Sequence, residues 1–120
     1  MPEVNKIVYK GKEIIFVNYR GCTDEKDTIN ISREATRVIT SSPKGSLVLI
    51  NFEDAYQTPN FKKEVEQQSH QTQNFVKKRA IVVKINAPRL ILLNAFNRLL
   101  GKKQLKPFKT VKEAKEWLVT

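Results

Sequence analysis

Between residues 47 and 52 the chain reads Leu47-Val48-Leu49-Ile50-Asn51-Phe52, with four consecutive apolar residues and no polar alternation. A strand with one wet face alternates apolar and polar side chains, so an unbroken apolar run marks a strand covered on both faces, as in parallel sheets. A second run of this kind, Ala80-Ile81-Val82-Val83, lies at the centre of a strand predicted over Arg79–Ile85. Strands of that sort need helices to cover them, which points to an α/β domain. The 120 residues fit one domain, placed over residues 1–120.

The remaining segments fall around this centre. Val4–Lys10 and Glu13–Tyr19 are rich in Val, Ile, Tyr and Phe, and the Gly11-Lys12 link between them predicts a hairpin. Thr23 or Asp24 then caps a helix over Asp24–Thr40, with Asp24, Glu25 and Asp27 favourably placed in its first turn. Thr28, Ile31, Ala35, Val38 and Ile39 form its core stripe. Glu53–Thr58 is a polar loop, and Thr58-Pro59 starts a helix predicted to run to about Lys78. Asn86-Ala87-Pro88 opens an apolar helix over Arg89–Leu100, closed by Gly101. Leu105–Phe108 is a short strand. Thr110 and Glu113 make a capping box for a helix that presents Val111, Ala114, Trp117 and Leu118 on one face. The order is β-β-α-β-α-β-α-β-α, a mixed, mostly parallel sheet with helices packed on it.

This order resembles the STAS superfamily, in the branch grouped with sporulation anti-sigma-factor antagonists and the CRAL-TRIO lipid-binding fold. The opening hairpin, the Leu47–Phe52 strand, and the Ala80–Val83 strand leading to a helix with Ala95-Phe96 carry the likeness. So does the segment Pro107-Phe108-Lys109-Thr110-Val111-Lys112-Glu113-Ala114-Lys115-Glu116-Trp117-Leu118. The resemblance implies a STAS-like fold, a bacterial origin and a regulatory or ligand-binding role without catalysis. Antagonists of this branch carry a phosphorylatable Ser in Asp-Ser-Ser-Gly after the central strand. Here that turn reads Asn51-Phe52-Glu53-Asp54-Ala55-Tyr56-Gln57-Thr58-Pro59, and Thr58 is its only hydroxyl near the helix start apart from Tyr56. A phosphate on Thr58 would meet a helix N-terminus, but a Thr before Pro is equally a plain helix cap.

Charge is unevenly spread. Residues 1–60 hold 8 Lys/Arg against 8 Asp/Glu, and residues 61–120 hold 14 against 4, so the second part supplies the whole net charge of +10. Such a half attracts anions, although scattered lysines also simply solubilise a surface. The candidate basic patch is Lys77, Lys78, Arg79, Arg98, Lys102, Lys103 and Lys106. Phe96, Phe108 and Trp117 read as core positions, leaving no aromatics interleaved for base stacking, which disfavours a specific nucleic-acid reader. The single Cys22 excludes an internal disulfide and favours a reducing compartment. With no apolar run near the roughly 20 residues of a membrane span, and no signal-peptide pattern, the expected location is the cytoplasm.

No catalytic set emerges. His70 is the lone histidine, in mid-helix between Ser69 and Gln71, so it reads as a surface residue rather than a metal ligand or relay. Cys22 precedes a helix start, a place that can activate a thiol, but no base accompanies it. Glu53-Asp54 are adjacent carboxylates in a loop, as easily solvated as cation-binding. The 4 glycines form neither a Walker loop nor a dinucleotide fingerprint, and no cofactor is implied. What stands out is the predicted inner face of the helix from Pro59: Phe61, Val65, Ser69 (or Gln68), Thr72, Phe75 and Val76, polar where a core helix is aliphatic.

The leading expectation is a binding module for a regulatory protein or a small apolar or anionic ligand. Its contact surface would be Glu53, Asp54, Tyr56, Thr58, Phe61, Val65, Ser69 and Thr72. The alternative is an electrostatic binder of nucleic acid or anionic membrane through the basic half. A homodimer stays open.

Overall fold

The computed structural model describes residues 3–22, 24–53, 59–82 and 105–120. Its elements are β1 (Glu3–Tyr9), β2 (Lys12–Asn18), α1 (Glu25–Thr40), β3 (Ser46–Asn51), α2 (Pro59–Thr72), β4 (Val76–Val82), β5 (Leu105–Phe108) and α3 (Val111–Leu118). The five strands lie in the order β1-β2-β3-β4-β5, antiparallel between β1 and β2 and parallel thereafter. This is the expected mixed sheet. The helix predicted over Arg89–Leu100 lies outside the described residues.

Consecutive parallel neighbours joined by right-handed crossovers put their helices on one side of a sheet. Accordingly α1 and α2 pack against each other on one face. That face buries Ile15, Val17, Tyr19, Ala35, Ile39, Val48, Ile50, Phe52 and Ile81. Among the described elements α3 alone covers the other face, over Ile14, Leu47, Leu49, Ala80 and Val82, contributing Ala114 and Leu118. Strand β3 is buried from Leu47 to Asn51, as its unbroken apolar run requires.

Local chemistry sets the ends. The hairpin turns one residue earlier than predicted, at Lys10-Gly11, because both adopt positive φ (49° and 79°) and Tyr9 pairs with Lys12. Two successive left-handed residues match the twist of the flanking strands, and glycine adopts that conformation without steric cost. Asp24 caps α1 by accepting the Asp27 N–H at 2.8 Å, and Thr110 caps α3 by accepting the Glu113 N–H at 3.2 Å. Thr110→Ala is expected to lower stability by about 1 kcal/mol in urea titration, with no change in slope.

Helix α2 stops at Thr72, six residues short of the predicted end, and β4 begins at Val76, three residues before its predicted start. The Phe75 carbonyl already accepts the Gly45 and Ser46 N–H groups at 3.0 Å, which draws the chain into the sheet before Lys77. Phe75 and Val76 therefore leave the helix face assigned to them. Lys77 is the extra residue of a bulge, since Ser46 opposes Val76 and Leu47 opposes Lys78. After the bulge the strand alternates, aiming Lys78 at the α3 face and Arg79 at the α1–α2 face.

Candidate functional site

Two asparagines shape the carboxyl end of the sheet. Asn18 and Asn51 are register partners closing β2 and β3, and each side-chain oxygen accepts the N–H two residues on, from Arg20 at 3.1 Å and Glu53 at 3.3 Å. Just beyond them Tyr19 and Phe52 meet edge to face, with ring centroids 5.1 Å apart. Glu53 is half-buried there. Asp54, Tyr56 and Thr58, the rest of the expected contact turn, lie outside the described residues. Phe61 and Val65 fall on α2, with nothing described of their side chains.

Further along α2 the polar character expected of its inner face is present. Gln68, Ser69 and Thr72 are buried. Gln68 Nε2 donates to the Ser32 carbonyl at 2.6 Å, tying α2 to α1, and Thr72 Oγ1 donates back to the Gln68 carbonyl at 2.7 Å. Outside this contact, Arg33 of α1 pairs with Glu64 of α2 at 3.1 Å.

Arg79 departs from the reading of a basic surface patch. Its side chain turns inward from β4, is 4% exposed, and donates from Nη2 to Thr72 Oγ1 at 2.8 Å. No carboxylate lies within ion-pair distance of it among the described residues. Burial pushes its pKa down from the usual arginine range to about 10, which corresponds to roughly 3 kcal/mol against the charged form. The sequence concealed this placement because Lys77-Lys78-Arg79 reads as one charged run. Only the strand phase after the bulge separates its members.

Two further polar groups share this interior. The Tyr19 hydroxyl is pushed well above its usual pKa, first by burial, with Ser32 and Arg79 acting the other way. Ser32 Oγ is close enough to favour ionised Tyr19, yet has no partner with hydrogen-bond geometry among the described residues. On the alkaline side the two titrations oppose. Unfolded tyrosine ionises near 10 while folded Tyr19 does not, so stability falls as pH rises above 10. Folded Arg79 releases its proton before the unfolded arginine, so its contribution rises as pH climbs above about 10. Tyr19→Phe removes the falling contribution. Its stability relative to the parent should increase by up to about 1.4 kcal/mol per pH unit above pH 10 in denaturant titrations.

Nothing in this interior provides an activated nucleophile. Burial, then Asp27 and Asp24, push the Cys22 thiol up rather than down. His70 is exposed on α2. Among the described residues no cluster of His, Cys, Asp and Glu could hold a metal, and no helix is long and apolar enough to cross a membrane.

The lysines of the expected patch divide. Lys78 lies over the Trp117 ring at 5.0 Å and Lys106 over the same ring at 5.2 Å and over Phe108 at 5.8 Å. Lys10 and Lys115 each lie 5.6 Å from the Tyr9 ring. Phe108 and Trp117 are thus half-buried beneath cations rather than sealed core residues, correcting the expectation that no aromatics interleave with the charges. Lys78 Nζ also donates to the carbonyls of Trp117 and Thr120, and Lys12 Nζ to that of Val119. These ammonium groups satisfy the open carbonyl end of α3. Lys77 is exposed on the bulge. Arg98, Lys102 and Lys103 lie outside the described residues.

No family model matches the chain, and no curated protein matches it. Among solved structures it is similar to an uncharacterized DUF3478-family protein with a SpoIIAA-like fold from Shewanella loihica PV-4. The TM-score is 0.74 at 11% identity, covering 96% of this chain and 91% of that one. The fold of this chain is therefore SpoIIAA-like, the STAS architecture that its segment order resembles.

Proposed function

We propose that the chain is a non-catalytic STAS-like regulatory module, binding a ligand or protein partner at the carboxyl end of its sheet and along the inner face of α2. The observation that carries this reading is the polar interior under α2, where Gln68, Ser69, Thr72 and Arg79 are buried in place of an aliphatic core. Buried polar groups cost stability unless satisfied, so a domain that keeps them at a helix–sheet seam has a use for them. The turn Glu53–Thr58, with Asp54, Tyr56 and Thr58, and the α2 residues Phe61, Val65, Ser69 and Thr72 form the proposed contact surface. In open α/β sheets this end of the strands is where ligands bind. The reading places the chain in the cytoplasm, where a lone buried thiol stays reduced.

Native mass spectrometry of the gently purified protein, with pull-downs from its own host, tests it. A stoichiometric small molecule or one specific partner is expected. Neither appearing would remove the reading.

A second reading is favoured by the lysine–aromatic contacts around Trp117 and Tyr9: electrostatic binding of nucleic acid or anionic membrane. Its signature is affinity falling steeply as salt rises. Absence of binding to single-stranded nucleic acid and to anionic vesicles at low salt rules it out.

A further inference from the structure

We infer that the outer edge of β1 docks a second copy of the chain, the two copies pairing antiparallel through Glu3–Tyr9 so that their sheets run on as one. This edge shares no residue with the contact surface proposed above.

β1 is an outermost strand of the sheet, and among the described residues only its β2 side is paired. Residues 83–104 leave from β4 and return at β5, at the opposite edge. Native sheets blunt a free edge with a short strand, a proline, a bulge or a free charge. β1 has 7 residues, contains no proline and keeps unbroken register with β2. Its central charge, Lys6, is drawn onto β2 by Glu13 at 3.6 Å. Val8, on the same strand, is 74% exposed, and no other large apolar side chain is so exposed among the described residues. A long, unbulged edge with an exposed valine is a template for another strand.

The hairpin decides which strand fits. Tyr9 and Lys12 flank a two-residue turn and so form a hydrogen-bonded pair; by alternation Val4, Lys6 and Val8 aim their N–H and C=O groups away from β2. An antiparallel copy with Lys6 opposite Lys6 engages all three positions on each strand and overlaps the whole of β1. It sets Val8 directly against Val4 of the second copy, a residue that already packs on the core under α1. On the other face it sets Glu3 against Tyr9 of the second copy. Lys10 and Lys115 each lie 5.6 Å from that ring, with Glu116 bonded to Lys10 at 2.7 Å. Two cations and one carboxylate surround the ring, so the incoming Glu3 balances the charge, and the two-fold axis repeats the contact. This complementarity selects a second copy rather than an arbitrary peptide. The cost of Lys6 facing Lys6 is reduced because each has Glu13 beside it.

Sedimentation velocity of the full chain tests this. A single strand pair is a small interface, so monomer should pass to a closed dimer with a Kd of about 10–100 µM. Lys6→Pro removes an outward N–H that the monomer does not use, and should weaken the dimer at least about tenfold while leaving the Tm in dilute solution unchanged. Val8→Lys, whose register partner within its own chain is Glu13, should do the same. Glu3→Lys should weaken it severalfold. Cross-linking reads the register, with the parent, whose Cys22 is buried, as the blank. Lys6→Cys should oxidise to a disulfide-linked dimer, whereas Val8→Cys, about 13 Å from its counterpart, should not. A chain monomeric up to about 500 µM, a dimer untouched by Lys6→Pro and Val8→Lys, or cross-linking through Val8→Cys in place of Lys6→Cys each overturns the inference. So does a monomer that instead carries a foreign polypeptide lost in Lys6→Pro, which would give the edge to a different partner. Should Lys6→Pro fail to fold, Val8→Lys and the two cysteine variants decide.

Discussion

Leu49→Ala is expected to cost about 3–4 kcal/mol and to lower the Tm by more than about 10 °C. Leu49 is fully buried at the middle of β3, the central strand of the sheet. It belongs to the core shared with Ala80, Val82, Ala114 and Leu118. Truncation loses the transferred methyl groups and leaves a cavity, because a strand held by ladders on both sides cannot move in to fill it. Domains of this size have about 5–15 kcal/mol of stability, so this one change removes a large share. Val8→Ala supplies the contrast. Val8 is 74% exposed on the edge strand β1, and its truncation should stay within about 0.5 kcal/mol. Urea titrations giving similar losses for the two would contradict burial of β3 on both faces.

Thr72→Val should be nearly as severe, at about 2–3 kcal/mol, although it swaps one oxygen for a methyl group of similar size. Thr72 Oγ1 is the acceptor that Arg79 Nη2 uses, and the substitution leaves a buried guanidinium without it. The loss should vanish when the charge is also removed. Thr72→Val combined with Arg79→Met is expected to be at least as stable as the parent, giving a coupling energy of about 2 kcal/mol or more across the double-mutant cycle. Additive effects in that cycle would mean that the two side chains do not depend on each other.

The layered architecture was legible because its determinants are local. An unbroken apolar run at Leu47–Ile50 can only be a strand covered twice, and Asp24 and Thr110 announce helix starts by side-chain chemistry that acts within three residues. The polar inner face of α2 was legible from spacing at Ser69 and Thr72. The end of that helix was not, because Gln71, Gln73 and Asn74 contain no proline or glycine to mark a stop. The true boundary depends on Phe75 bonding to the start of β3, a tertiary contact. Arg79 was misplaced for a related reason. Inward or outward aim in a strand is set by phase, and a bulge at Lys77 resets the phase with no residue signature of its own. Ser32 was missed because a serine within an otherwise apolar stripe looks like tolerated packing until its neighbours are known. The half-exposure of Trp117 likewise depends on Lys78 and Lys106 arriving from different strands.

The division of labour between the helices has a consequence for synthesis. By the time β4 is complete, α1 and α2 have been made and can shield one side of the sheet. The other side shows Ile14, Leu47, Leu49, Ala80 and Val82 and, among the described elements, has only α3 to shield it. Translation proceeds at about 5–20 residues per second, so Leu118 follows Val82 by about 2–7 s, longer with transit through the exit tunnel. For that interval none of the other described elements covers the aliphatic side chains of this face. A copy that stopped before Val111 would lack the described helix that covers this face, so completion of Val111–Leu118 is the step that buries Ala114 and Leu118 against it.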